Sequence, residues 1–274
     1  MLYVVTAVHN RCEITKKFIR QLKCQTYKDY QLVLVDDGCT DGTVEMVRTE
    51  LPNTKILIGD GNLFWGGALH LAYKWLSANV DSTNFVMFSN DDTTFDPEYL
   101  EKAVKHLNKN SNALITGCGY SINSNKQIDG AVHWDYRKGG VIKGFAPNDV
   151  GNCASTRSLF FSVETMNKIG GFHPILLPHY SSDYEWTMRG AKKGIEILSF
   201  DDLMYYFDEK TTGDNDFDVL TKKKLFSKRS IRNPIYRMSF IILSTPKHLL
   251  PAHLFHQINR YFGRMAVLRK IIRR

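Results

Sequence analysis

Short apolar runs alternate with helical patterns along the first hundred residues, a polar cluster closes each run, and no internal repeat interrupts the order. Those observations predict an α/β chain. The sheet is expected to be Rossmann-like and mostly parallel, with helices on both faces joined by right-handed crossovers. Leu2–Val8 opens it as a strand, and Glu13–Cys24 follows as a helix with Ile14, Phe18, Ile19 and Leu22 on one side. Gln31–Val35 is a second strand, residues 41–50 a second helix, Lys55–Ile58 a third strand. Gly67–Ala78 is helical by the spacing of Leu69, Ala72, Tyr73 and Leu76, and Asn84–Phe88 is the fourth strand. Asp96-Pro97-Glu98 reads as a helix start with Asp96 as its cap, because Pro suits the first helical position. Leu114–Gly117 is a further strand, and residues 120–155, rich in Gly, Asn and aromatics, read as hairpins and loops around a pocket. Ser158–Val163, Ile195–Phe200 and Leu203–Phe207 are late strands. Glu164–Ile169 and Asp183–Lys193 are late helices, each closed by glycine.

Composition excludes several classes. Of 274 residues 43% are hydrophobic and 12% aromatic, too many for a disordered chain. The five cysteines are odd in number, widely spaced and without a C-x-x-C pair, so neither a disulfide scaffold nor a zinc knuckle is indicated, and a reducing compartment is expected. No window approaches the roughly 18 uncharged apolar residues of a membrane span, and the first ten residues read as a strand rather than a signal peptide. The net charge of +8 hides an asymmetry: residues 219–274 hold fourteen Lys/Arg and no acid, which leaves the preceding residues at −6. Two parts are expected, a catalytic body over residues 1–210 and a basic, largely helical extension over 211–274.

Open α/β sheets bind ligands beyond the carboxyl ends of their strands. Here those ends read Thr6–Arg11, Asp36-Asp37-Gly38-Cys39-Thr40-Asp41-Gly42-Thr43, Gly59–Gly67 and Ser89-Asn90-Asp91-Asp92. No G-x-G-x-x-G follows the first strand, and no Lys-Ser/Thr follows the later glycines, so neither a dinucleotide site nor a P-loop is indicated. With few basic residues at the tips, a bound diphosphate needs another counter-charge. Mg²⁺ or Mn²⁺ on carboxylate oxygen supplies it, and Asn90-Asp91-Asp92 has the composition to hold one.

Val35 to Thr43 resembles the VDDGSTDGT signature of family 2 glycosyltransferases, with Cys39 in place of Ser. Further matches follow in order. Asn90-Asp91-Asp92 resembles the N-x-D form of that family's D-x-D motif in its rhamnosyltransferase-like members, and Asn62–Ala68 resembles their N-x-G loop. Leu159–Phe172 and Ser182–Arg189 resemble the segment ending G-G-F and the E-D-x-D-x-x-x-R motif. The resemblance spans about residues 2–207 and implies a GT-A fold and inverting transfer from a nucleotide-diphosphate sugar. It further implies that Asp36 and Asp37 contact the donor's base and ribose, with Thr6 beside them, that Asp92 binds metal, and that Asp183 is the general base. Asn62, Trp65, Gly66, Asn90 and Asp91 complete the expected donor site; Trp134, Glu185 and Trp186 are the acceptor candidates. Two departures stand out. Ser182 replaces a Glu, and Asp208 occupies about the place of a late metal-binding His.

Plainer readings stand beside these. Asp183 after Ser182 also suits a helix cap, Glu185 and Arg189 a surface i,i+4 pair, Trp134 a core position, and His9, His70, His133 and His179 structural or surface roles. In the extension Leu254, Ile258, Tyr261, Phe262, Met265, Leu268 and Ile272 share one helical face, with Arg260, Arg264, Arg269, Lys270, Arg273 and Arg274 around it. Such a helix suits the cytoplasmic face of a membrane and a lipid-linked glycan acceptor, or else packs on protein. The rivals to a transferase are a sugar-1-phosphate nucleotidyltransferase, which would need a glycine-rich basic loop after the first strand, and a non-enzymatic protein whose tail binds lipid or nucleic acid. Nucleic acid is not the favoured partner, and oligomeric state is left open.

Overall fold

The computed structural model describes residues 1–136, 140–144, 150–211, 225–255 and 257–259. Its main sheet begins with β1 (Leu2–Val8), β2 (Tyr30–Asp36), β3 (Lys55–Ile58) and β4 (Phe85–Ser89), all parallel and lying side by side as β4-β1-β2-β3. The register sets Val8 beside Asp36 and Asp36 beside Ile58, so the three strands end at one level. The crossovers are α1 (Cys12–Cys24), α2 (Thr43–Glu50) and α3 (Phe64–Asn79). A sheet covered on both faces needs apolar residues on both sides of every strand. Accordingly Val5, Val33 and Phe88 pack with Leu69 and Leu76 of α3, whereas Val4, Val8 and Leu34 pack with Phe18, Ile19 and Leu22 of α1. Each of those buried α1 side chains contributes roughly 1.5–3 kcal/mol.

The other half of the sheet departs from a parallel pattern. β5 (Thr94–Phe95) and α4 (Tyr99–Lys109) lead to β6 (Leu114–Ser121), then to β7 (Gln127–Asp129) and to a small separate ribbon of β8 (Val132–Asp135) with β9 (Gly140–Gly144). After β10 (Val150–Gly151), β11 (Ser158–Ser162) inserts antiparallel between β4 and β6. It returns from hairpins rather than from a helical crossover, so nothing forces it parallel. Beyond α5 (Val163–Ile169) and α6 (Ser182–Lys192), β12 (Ile197–Phe207) pairs parallel with β6. The two late strands expected from the sequence are this one strand, bulged between Ser199 and Met204 where Asp201 and Asp202 face solvent.

Helix starts also differ from expectation. Asp96 does not cap α4 with its side chain; the carboxyl-side turn closes through the Tyr99 amide on the Asp96 carbonyl, 3.1 Å, and the helix begins at Tyr99. By contrast Ser162 caps α5 through the Thr165 amide, and Asn233 caps α7 (Pro234–Ser244) through that of Ile235. α7 docks on the body: Phe240 joins Val132, Cys153, Leu177 and Met188 in a third apolar cluster. A further helical stretch occupies residues 250–255 and 257–259, so most of the expected basic helix lies outside the described residues. No helix among the described residues is long and apolar enough to cross a membrane.

Candidate active site

A cleft of about 920 Å³ opens beyond the carboxyl ends of β1, β2 and β4. The sequence builds its floor from tight turns. Asp36 accepts the Cys39 amide at 2.7 Å, which folds the β2 tip back at Gly38. Gly38 has φ +77°, and a Cβ there would stand 2.9 Å from Gly61 Cα, so only glycine lets the β2 and β3 tips meet. Asp37 accepts the amides of Leu63 and Phe64, both at 3.1 Å, and thereby pins the loop before α3. The Asp37 side chain thus holds the loop while its residue lines the cleft.

At the β4 tip Asn90 and Asp91 face the cleft, and two guanidinium groups meet the paired acids. Arg157 donates to Asp92 at 2.7 Å and lies over the Phe207 ring at 4.0 Å; Arg11 reaches both Asp91 and Asp92 at 3.4 Å. Burial pushes the Asp91 carboxyl up to about 6 against the opposing pull of Arg11 and of the Thr15 hydroxyl, which donates at 2.8 Å. The donor set at this tip is entirely oxygen, which suits a hard divalent cation. Among the described residues no group of three or more His, Cys, Asp or Glu gathers. Asp92 lies outside the cleft lining and is held by the two guanidinium groups, so among the described residues this tip forms no cage of its own for a cation.

Across the cleft stands Asp183, in the first turn of α6, its Oδ1 accepting the Tyr184 amide at 2.9 Å. It lies inside the helix, so it is not the N-cap; that place belongs to Ser181, in the left-handed region with φ +65°. Burial pushes Asp183 up to about 6, and the nearby Asp129 carboxylate adds to the rise. A carboxylate of that character, facing a cleft, is suited to take a proton near neutral pH. Asp129 itself accepts from Ser155 Oγ at 2.7 Å and faces Arg157 Nε at 3.8 Å.

Several expected residues fall elsewhere. Thr6 is fully buried on the α1 side of the sheet, and its neighbour Ala7 lines the cleft instead, as alternation along a strand requires. Asn62 is exposed outside the cleft lining. Gly66 is a packing position: a Cβ would stand 2.4 Å from the Leu177 carbonyl oxygen. Trp65 lines the cleft, with its indole N–H given to Thr156 at 2.8 Å. The acceptor assignments of Glu185 and Trp186 are corrected. Glu185 is buried in a two-point pair with Arg189, both contacts 3.0 Å, and Trp186 is fully buried, stacked on Phe172 with its N–H on the Gly170 carbonyl at 2.7 Å. Trp134 packs edge-on against Phe240 and Tyr184 and lines a neighbouring cavity.

Sequence reasoning missed Arg11, Asp129, Arg157, Tyr184 and Arg229, all of which line the cleft, and His9 and His179 line it too. His179 is held neutral, its pKa lowered to about 4 by burial and by Arg229. His9 and Arg11 sit in the first strand-end segment and Tyr184 beside Asp183, whereas Asp129, Arg157, His179 and Arg229 have no spacing signal and only the fold gathers them. Lys228 and Arg229 lie over the Phe64 ring at 5.5 and 5.8 Å, so the basic extension contributes to the cleft wall.

A four-stranded parallel half-sheet with acids and amides at its tips, continued by a mixed half that carries a facing carboxylate, is the GT-A architecture of glycosyltransferases. The family follows from the sequence: the model of "Glycosyl transferase family 2" matches residues 3–167, and the chain belongs to that family. It is 24% identical over 216 residues to the glycosyltransferase AglE of Haloferax volcanii, covering 73% of this chain and 64% of that one. To the glycosyltransferase GlyA of Streptococcus pneumoniae it is 25% identical over 45% of this chain and 17% of the relative. The chain thus spans less than two thirds of the length of these relatives. Among solved structures it resembles S. aureus TarS residues 1–349, with TM-score 0.57, 16% identity and coverage of 76% and 60%. It also resembles GalNAc-T7 with UDP, GalNAc and Mn²⁺, at 0.61, 11%, 76% and 44%. The mannosyltransferase PcManGT of Pyrobaculum calidifontis with GDP-Man and Mn²⁺ gives 0.55, 16%, 75% and 56%. At these identities the likeness is one of fold.

Proposed function

We propose that this chain is an inverting glycosyltransferase that moves a hexose-like sugar from a UDP- or dTDP-sugar to a carbohydrate or lipid-linked glycan, in the assembly of a bacterial surface polysaccharide. The observation that carries the reading is the single cleft in which Asp183 faces the polar tips of β1, β2 and β4. The base and ribose lie along Asp37 and the Gly61 turn, and the diphosphate lies near Asn90, where Arg11, Arg157 and Arg229 line the wall. Asn90 and Asp92 would hold Mg²⁺ or Mn²⁺ together with the diphosphate, and the ion when bound supplies charge neutralisation for the leaving group. Arg157 and Arg11 pair with Asp92 and orient it at that tip.

Asp183 takes the proton of the accepting hydroxyl as its oxygen attacks the anomeric carbon, and the nucleoside diphosphate departs from the opposite side. One base and one in-line displacement give inversion. The chain works on the cytoplasmic side, and its basic extension touches the membrane surface where a lipid-linked acceptor would be met. A melting panel of UDP, dTDP, GDP, CDP and ATP, each with and without Mn²⁺, tests the donor reading. A pyrimidine diphosphate at about a hundred times its dissociation constant adds roughly 2.7 kcal/mol. Absence of any diphosphate shift, with a shift from RNA or anionic vesicles, overturns it.

A further inference from the structure

Three guanidinium groups line the cleft, Arg11, Arg157 and Arg229, and they are not equivalent. Arg11 stands 3.4 Å from both Asp91 and Asp92. Arg157 grips Asp92 at 2.7 Å and has Asp129 at 3.8 Å beside its Nε. A guanidinium already set against a carboxylate offers an incoming anion little net positive charge, because the acid repels what the cation attracts. Arg229 differs. It is exposed at the cleft wall, and among the described residues no acid pairs with it.

The donor side of the cleft also holds Arg229 in place. By accepting the Leu63 and Phe64 amides, Asp37 fixes Phe64 at φ +55°, a left-handed conformation that a bulky residue takes only where its surroundings impose it. The ring presented in this way meets His179, centroids 5.9 Å apart, and carries the Arg229 guanidinium at 5.8 Å. That lies within the roughly 6 Å over which a ring face attracts a cation. Burial and Arg229 together keep His179 neutral, so the imidazole brings no charge of its own to this corner. A line of contacts thus runs from the β2 tip through Phe64 to a residue of the extension. A planar guanidinium with free N–H groups suits the paired oxygens of a phosphate.

We infer that Arg229 is the side chain that binds the donor's diphosphate directly, which makes the extension a working part of the donor site. The inference rests on the transferase reading above and goes beyond it in singling out one of the three arginines and the segment that supplies it. The test is calorimetric titration of the full chain with UDP and dTDP in the presence of Mn²⁺, for the parent, Arg229→Gln, Arg229→Lys and Arg232→Gln. Arg232 has the same charge three residues further on, exposed and outside the cleft lining, so its variant controls for a general positive field. Support is a diphosphate Kd at least tenfold weaker in Arg229→Gln, a smaller loss in Arg229→Lys, and parent-like binding by Arg232→Gln, with the melting points of the free chains alike. Parent-like binding by Arg229→Gln, or equal weakening in Arg229→Gln and Arg232→Gln, overturns the inference and leaves the transferase reading standing. A parent chain that binds neither diphosphate overturns both.

Discussion

Replacing Asp183 by Asn removes a proton acceptor and preserves its shape, including the oxygen that accepts the Tyr184 amide. Burial lifts this carboxyl from 3.8 to about 6, with Asp129 adding to the rise. A shift of that size corresponds to about 3 kcal/mol, at about 1.4 per unit. Because the side chain borders the open cleft, solvent screening lowers this to on the order of 1–2 kcal/mol. The sign follows from proton binding. Between pH 4 and 6 the native state keeps a proton that the unfolded chain releases, so stability falls as pH rises through that window and stays lower above it. Asn carries no such penalty. The variant is expected to melt about 3–6 °C higher at pH 8, with the gap narrowing toward pH 5. Transfer, followed by release of nucleoside diphosphate in the presence of acceptor, is expected to fall by about 10²–10⁴. An unchanged melting point together with unchanged turnover would refute the assignment of Asp183 as a half-buried base.

The same ionisation sets a pH profile: parent turnover at saturating donor is expected to fall tenfold per unit below about pH 6, and a flat profile from pH 5 to 8 would count against it. Asp37→Asn loses the charge that holds the Leu63 and Phe64 amides, each a charge-assisted bond of about 1.5–3 kcal/mol, so melting falls and the diphosphate shift weakens together. Mn²⁺ alone is expected to leave the melt unchanged and to add to the UDP or dTDP shift, because the described residues build no cage for the ion; stabilisation by Mn²⁺ without nucleotide would contradict this. Gly66→Ala drives a methyl group against the Leu177 carbonyl and is expected to cost about 1–3 kcal/mol, measured as a lowered urea midpoint.

The parallel half of the fold was legible because each strand and crossover carries its own periodicity: β3 is where its four residues place it, and α1 buries Phe18, Ile19 and Leu22 as its spacing requires. The antiparallel insertion of β11 was not legible, since five apolar residues look the same in either direction. The Asp36-Asp37 and Asn90–Asp92 clusters were visible as strand-tip polar groups. Thr6 was misjudged because tip position says nothing of which face a side chain takes. Glu185 and Trp186 share α6 with Asp183, yet the helix turns them into the interior, where Arg189 and Phe172 meet them. Arg157 and Asp129 come from loop and edge segments without a motif, and only tertiary pairing brings them to Asp92 and Ser155.

The seam between β4 and β11 bears on how such an enzyme changes over time. Every strand-tip residue of the cleft through Asn90 and Asp91 lies in one uninterrupted stretch of chain, and the opposing wall comes from residues 128 onward. The two stretches meet across five antiparallel pairs, Phe85–Ser89 against Ser158–Ser162. A recombination point just past the β4 tip would therefore pass on the β1, β2 and β4 tips as a block, while the incoming half would have to restore Arg157 for Asp92 and Arg229 on the cleft wall. Backbone pairing across that seam does not depend on side-chain identity, so the constraint on an exchanged half falls on those two arginines rather than on the seam. On the proposed reading, acceptors diversify over a constant donor where the exchanged half keeps both guanidinium groups.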